Sequence, residues 1–324
     1  MKKKKVLIIH TGGTISMSED TETGAVSPTA HNPLMEKTSE LQSISDIIVE
    51  EPYHLPSPHI TPVEMYKLKE IIESYQAQNI SGVVITHGTD TLEETAYFLD
   101  LTVESSLPIV VTGAMRSSNE IGADGLYNLM SAIRVASCDE ARNKGVLVVL
   151  NDEIHTAENV TKTHTSNIST FQSPQYGPIG IVTKRGILFH HFPANHQCYP
   201  IQDLSKRVAL IKTHAGMDST LLFAIRDLQY HGVVIEALGQ GNLPPAAVEG
   251  IKGLIENNIP VVLVSRCFNG IAEDIYSYEG GGKNLKDLGV IFSNGLNGQK
   301  ARIKLLIGLA YTTDTKKIEN MFRI

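Results

Sequence analysis

Cysteines are few, and their spacing pairs none of them. Cys138, Cys198 and Cys267 are an odd number without a CxxC spacing, so neither a disulfide framework nor a cysteine-built metal site is expected. Basic blocks are also lacking. Apart from Lys2–Lys5 there is no basic run, and the formal net charge is −7, so a face for nucleic acid is not expected. No apolar run approaches the length that spans a bilayer. The opening Lys2-Lys3-Lys4-Lys5, followed by Val6-Leu7-Ile8-Ile9, imitates the start of a signal peptide. The apolar run stops after these four residues, at His10-Thr11-Gly12-Gly13, and is read instead as a charged lead-in to a first strand. Fixed-period repeats and low-complexity tracts are absent as well. These absences predict a cytoplasmic protein with neither a membrane nor a nucleic acid as partner.

What is present is a large apolar fraction, 42% of 324 residues, enough for one large or two ordinary domains with a substantial core. Strand and helix patterns alternate through the first two-thirds. A strand is expected over Lys5–His10. Thr61-Pro62-Val63-Glu64 reads as a capping box with Pro at the first helical position. It opens a helix whose Met65, Leu68, Ile71 and Ile72 form one stripe. Strand Gly82–Thr86, helix Leu92–Thr102, strand Ile109–Thr112, helix Leu126–Ala136 and strand Gly145–Leu150 follow. The strands are almost continuously apolar, as strands covered on both faces are. A second series runs through strands Val208–Lys212, Gly232–Ala237, Pro260–Ser265 and Val290–Phe292. Helices are expected over Thr220–Leu228, Ala246–Glu256 and Lys300–Tyr311. The predicted architecture is α/β. Two doubly wound three-layer domains are expected, a larger one with a mixed or parallel sheet over residues 1–190 and a smaller parallel one over 208–324. A Pro- and Asn-containing linker over 191–207 joins them.

Two Thr-rich turns follow predicted strands: Thr11-Gly12-Gly13-Thr14 after Val6–Ile9, and His87-Gly88-Thr89-Asp90-Thr91 after Val83–Thr86. The carboxyl ends of parallel strands share one edge of a sheet, where ligands bind. Thr is also an unusual residue for a merely structural turn. No Lys follows the first turn as in a phosphate-binding loop, and no third Gly as in a dinucleotide fingerprint. Asp90 has two readings that can hold together: the N-cap of the following helix, boxed by Glu93, and a carboxylate for a ligand amine. A Thr nucleophile needs a group that takes its proton. Lys162, in Val160-Thr161-Lys162-Thr163, can serve if desolvated, although taken alone it reads as a solvated residue of the polar stretch Thr156–Pro178. A polar segment over Ser16–Pro33, directly after the first turn, suits a lid. Thr112-Gly113-Ala114-Met115-Arg116 closes another strand with small residues. Ser57 is an isolated hydroxyl in a Pro-rich turn.

Taken in order, Thr11–Ile15, His87–Thr91, Thr112–Arg116 and Val160–Thr163 resemble the bacterial L-asparaginase family, in its cytoplasmic type I branch. The resemblance covers essentially the whole chain. It implies hydrolysis of L-asparagine to L-aspartate and ammonia, with no metal or other cofactor. Thr14 falls at the family's primary nucleophile, and Thr89, Asp90 and Lys162 at its second catalytic cluster. Asp90 would also bind the substrate's ammonium group, and Ser57 with the Gly88 backbone its α-carboxylate. Ala114 falls among the substrate contacts. Asn242 matches a residue contributed by a neighbouring subunit, so a homodimer or homotetramer is implied. Many relatives carry a lid Tyr that activates the first Thr, whereas Ser16–Pro33 contains none. Tyr278 of a neighbouring subunit is the expected substitute, its alternative being a surface Tyr beside a Gly-rich loop. Competing readings are a glutaminase, an amidase of the tRNA-amidotransferase type, or a non-enzymatic amino-acid sensor on the same fold.

Overall fold

The structure is a computed structural model describing residues 3–20, 23–28, 33–34, 38–193, 196–293 and 295–323. The chain divides into two compact units, Met1–Cys198 and Tyr199–Ile324.

The first unit contains β1 (Lys5–His10), β2 (Met17–Glu19), β3 (Val26–Pro28), α1 (Thr38–Ile44), β4 (Asp46–Glu50), α2 (Pro62–Gln76) and β5 (Gly82–Thr86). It continues with α3 (Leu92–Thr102), β6 (Ile109–Thr112), α4 (Gly125–Ala136), β7 (Val146–Leu150) and β8 (Glu153–Thr156). The short strands β9 (Thr161–Lys162), β10 (Phe171–Gln172), β11 (Gly180–Val182) and β12 (Ile187–Phe189) complete it. Among the described residues its main sheet has eight strands in the order β12-β11-β8-β7-β6-β5-β1-β4. From β4 through β7 the neighbours are parallel, and β8, β11 and β12 extend the sheet antiparallel.

Strand side chains alternate between faces. Val6, Ile8, Val84, Val110 and Leu147 pack with Leu41 of α1 and Leu129, Ala132, Ile133 and Ala136 of α4. By alternation Leu7, Ile9, Val83 and Ile85, all fully buried, point to the opposite face. There α3 lies against β6 and β7, with α2 packed on α3. The result is a three-layer unit. The expected capping box is made: Thr61 Oγ1 accepts from Val63 N at 3.2 Å, and Thr61 N donates to Glu64 Oε2 at 2.8 Å.

The second unit contains β13 (Val208–Lys212), α5 (Thr220–Asp227), β14 (Gly232–Ala237), α6 (Val248–Glu256) and β15 (Val261–Ser265). It ends with α7 (Gly282–Leu288), β16 (Ile291–Phe292), α8 (Gly298–Tyr311) and α9 (Thr315–Phe322). Among the described residues its four strands are parallel and sequential. Val233, Ile235, Val261 and Leu263 pack against Leu222 of α5, Ile251 and Leu254 of α6, and Leu285 of α7. The long α8 touches β13, β14 and β15. This too is a three-layer α/β unit, so the fold class expected from the sequence is the one observed.

Two expectations change in detail. The stretch Thr156–Pro178, expected as an irregular polar loop, contains the β9–β10 antiparallel pair, with Lys162 opposite Phe171. The expected lid over Ser16–Pro33 contains the β2–β3 hairpin; its residues 21–22 and 29–32 lie outside the described residues, as do 194–195 of the expected linker. Among the described residues no helix is long and apolar enough to cross a membrane.

Candidate active site

The two Thr-rich turns sit side by side, because β1 and β5 are hydrogen-bonded neighbours running in the same direction. Thr11 N donates to Thr86 O at 3.1 Å, and Thr11 Oγ1 donates to the same oxygen at 2.9 Å. The chain then turns through Gly12 and Gly13, both with left-handed φ, at +105° and +82°. Only glycine adopts such angles without strain. Space demands glycine as well: a Cβ on Gly13 would lie 2.2 Å from the Gly88 Cα, and one on Gly88 would lie 2.8 Å from Ser57 Oγ. Thr14 and Thr89 thus each follow one of two glycines whose backbones touch. Thr14 opens a single helical turn, Thr14–Ser16, that leads into β2.

Around Thr89 the sequence-distant residues converge. Lys162 Nζ donates to Thr89 Oγ1 at 2.9 Å and to Asp90 Oδ1 at 2.7 Å. The Lys162 side chain is only 16% exposed, whereas that of Asp90 is 60% exposed. Asp90 can therefore meet both the lysine and solvent, and an ionised carboxylate has acceptor capacity to spare. The expected solvated surface lysine is instead a mostly buried one. Ser57 is buried. Its Oγ accepts from Asp90 N at 3.1 Å, and its carbonyl accepts from Thr91 Oγ1 at 2.7 Å. Ala114 is fully buried and its methyl packs in the core, so only its backbone is left for contact with a ligand.

The capping expectation for Asp90 is corrected. Helix α3 starts at Leu92 with Thr91 in the cap position, and the Asp90 carboxylate is ion-paired with Lys162. A charge-assisted bond to an ammonium outcompetes a neutral backbone N–H. Glu93, expected as the other half of a capping box, is also engaged elsewhere. Its Oε1 accepts from Thr161 Oγ1 at 3.0 Å and from Lys162 N at 3.2 Å, which ties β9 to the start of α3.

Two groups have places that the sequence reading missed. One is Glu93, read there only as a cap partner and 4% exposed despite its charge. The other is His87, fully buried behind the second turn. His87 Nδ1 donates to Gly88 O at 2.8 Å and Nε2 accepts from Thr95 Oγ1 at 2.9 Å, so the partners define one neutral tautomer. Burial pushes its pKa down to about 4, opposed by the bond to the Gly88 backbone. His10, beneath the first turn, is likewise lowered to about 4 by burial, with Glu51 raising it and His54 lowering it. Its Nδ1 lies 2.7 Å from Thr86 Oγ1. Two neutral imidazoles thus back the turns. The signal in the sequence was a His as the last residue of β1 and another directly after β5.

Asn242 and Tyr278 belong to the second unit. Asn242 Oδ1 accepts from Gly282 N at 3.2 Å, and the Asn242 backbone bridges to Leu238. The Tyr278 ring is half exposed and stacks at a tilt on Tyr276, with centroids 5.6 Å apart.

An α/β fold with hydroxyl turns at one sheet edge and a lysine–carboxylate pair beside them holds the groups that hydrolysis by a hydroxyl nucleophile uses. The particular relatives narrow it. Residues 5–195 match the N-terminal asparaginase domain, and residues 207–322 match the glutaminase/asparaginase C-terminal domain. The chain is 37% identical to a probable L-asparaginase of Deinococcus radiodurans, covering 98% of this chain and 97% of that one. It is 33% identical to L-asparaginase 2 of Escherichia coli, over 98% and 92% of the two. The solved structure of a probable cytoplasmic L-asparaginase from Campylobacter jejuni superposes with a TM-score of 0.88 at 32% identity, covering 99% of each chain. The chain belongs to the asparaginase family of amidohydrolases.

Proposed function

We propose that the protein hydrolyses the side-chain amide of L-asparagine to L-aspartate and ammonia through a threonine acyl-enzyme. The observation that carries this reading is the Lys162 ammonium held between Thr89 Oγ1 and Asp90 Oδ1, beside the contact of Gly13 with Gly88. Thr14 Oγ1 attacks the amide carbon, its proton leaves to a base, and the carbonyl electrons shift to oxygen. Backbone N–H groups near Thr89 stabilise that oxyanion. The C–N bond then breaks, and the nitrogen takes a proton and departs as ammonia. Water, oriented by the Thr89 hydroxyl that Lys162 holds, attacks the resulting ester, and its proton passes to the departing Thr14 oxygen, which releases aspartate and free Thr14. Asp90 receives the substrate's ammonium in a charge-assisted bond. Ser57 and Gly88 face its α-carboxylate, and the Ala114 backbone adds a further contact.

The activating hydroxyl for Thr14 is assigned to Tyr278 of a neighbouring subunit, with Asn242 of the same neighbour at the substrate. The working species is then a homodimer or homotetramer, and its compartment the cytoplasm. The Campylobacter relative's description as cytoplasmic supports this placement. The test is ammonia release from L-asparagine over a wide concentration range, with L-glutamine in parallel and Thr14→Ala as control. Turnover of asparagine that disappears in the variant, with an aspartyl ester trapped on Thr14 by mass spectrometry, is expected. Absence of ammonia from the folded wild-type protein sinks the assignment.

A further inference from the structure

A two-stranded hairpin is marginal in water by itself, and β2–β3 has only three residues in each strand. Its register, Met17 with Pro28 through Glu19 with Val26, therefore needs support from outside. That support comes from the loop after β6, about a hundred residues further along the chain. Ser118 N and Ser118 Oγ both donate to Met17 O, at 3.1 and 2.9 Å. Glu19 N donates to Asn119 Oδ1 at 2.8 Å, and Asn119 Nδ2 donates to Glu19 O at 2.8 Å. The Asn119 carboxamide thus saturates both main-chain groups of Glu19, as a neighbouring strand would.

The loop presenting these groups is stiff. The Asp124 carboxylate accepts from Met115 N at 3.1 Å and from Arg116 N at 3.0 Å. Asn128 Nδ2 donates to Asp124 Oδ2 and to Gly113 O, both at 3.0 Å. Arg116 Nη1 donates to Gly122 O at 2.9 Å, and Glu120 N donates to Ser117 O at 3.1 Å. A weak hairpin is therefore pinned to a braced post, and the pinned strand begins directly after the Thr14–Ser16 turn.

We propose that Asn119, with Ser118, is a positioning residue that latches the β2–β3 hairpin and thereby holds the Thr14 turn in place. The kinetic part of this proposal rests on Thr14 being the nucleophile; the latch itself does not. Asn119→Ala removes both bonds to Glu19. Solvent-exposed hydrogen bonds are individually weak, so the pair should shift the hairpin's opening equilibrium by about tenfold.

The test is amide hydrogen exchange on the peptide containing Glu19, in the free enzyme, together with asparagine kinetics and a thermal melt. In Asn119→Ala, exchange of this segment should rise about tenfold and kcat/KM should fall measurably, by at most the same factor. The melting midpoint should stay unchanged, since the bonds are exposed. Asn119→Asp keeps the acceptor for Glu19 N and loses the donor to Glu19 O, and should lie between the two. The chain contains no Trp, so Val26→Trp on half-exposed β3 provides an optical reporter of the same opening. Wild-type exchange in Asn119→Ala overturns the latch. Faster exchange with unchanged kcat/KM overturns the positioning role. If the wild-type protein releases no ammonia, the functional reading has failed instead, and exchange still decides the latch.

Discussion

Replacing Lys162 by Met separates the chemistry of the site from its architecture. Met keeps the unbranched apolar stem and loses the ammonium, so both bonds, to Thr89 Oγ1 at 2.9 Å and to Asp90 Oδ1 at 2.7 Å, are lost. The stability cost is small, because Asp90 is 60% exposed and solvent screens such a pair to below about 1 kcal/mol. The backbone of β9 stays in place, since Glu93 holds Lys162 N and Thr161 Oγ1 independently of the lysine head group. Activity should fall far more. A positioned proton-transfer group contributes about 10²–10⁴ in rate, equal to about 3–5 kcal/mol of barrier. Steady-state ammonia release and a urea melt on the same preparation read the two quantities. The reasoning is refuted if Lys162→Met turns over asparagine at the wild-type rate, or if it loses activity only in proportion to unfolding.

Gly13→Ala should destabilise the fold by at least about 1–2 kcal/mol from its left-handed φ alone. The clash with Gly88 should also part the turns and abolish activity, and a melt with an activity assay checks both. His87, neutral when folded with a pKa near 4 and 6.5 unfolded, binds its proton first in the unfolded state. Its contribution is therefore complete above pH 6.5 and is lost progressively as the pH falls towards 4, by on the order of 3 kcal/mol. Urea melts between pH 7 and pH 4 should show a shallower acid loss in His87→Gln than in the wild type. Tyr278→Phe should lower kcat with no change in melting midpoint, and an unchanged kcat removes Tyr278 from the mechanism.

Much of the fold was legible because strands covered on both faces are continuously apolar and the helices between them carry one apolar stripe. β5, α3 and β6 have the bounds the pattern predicts, and the capping box of α2 is made. Illegible elements are short or lie towards the sheet edges. β4 offers only Ile47-Ile48-Val49 as an apolar run, and its place is set by pairing with β1. β11 and β12 have three residues each and owe their form to antiparallel neighbours. At the site, Thr14, Thr89 and Asp90 stood out as turn residues at strand ends, whereas Lys162, which alone reads as a solvated residue, gained a role only through the family resemblance. What Asp90 and Glu93 bind could not, because their partners lie about seventy residues away and displace the local capping bonds that proximity in sequence suggests.

The sequence by itself determined the class of fold, the strand ends at which chemistry could sit and the side chains available there, because hydrophobic period and turn chemistry are local properties. The tertiary structure alone decided which turns touch, through Gly13 against Gly88. It decided that Lys162 is a largely buried partner of Thr89 rather than a surface charge, and that Asn119 grips Glu19. These are consequences of strand order, and strand order follows from how the whole chain buries its apolar faces rather than from any segment within it.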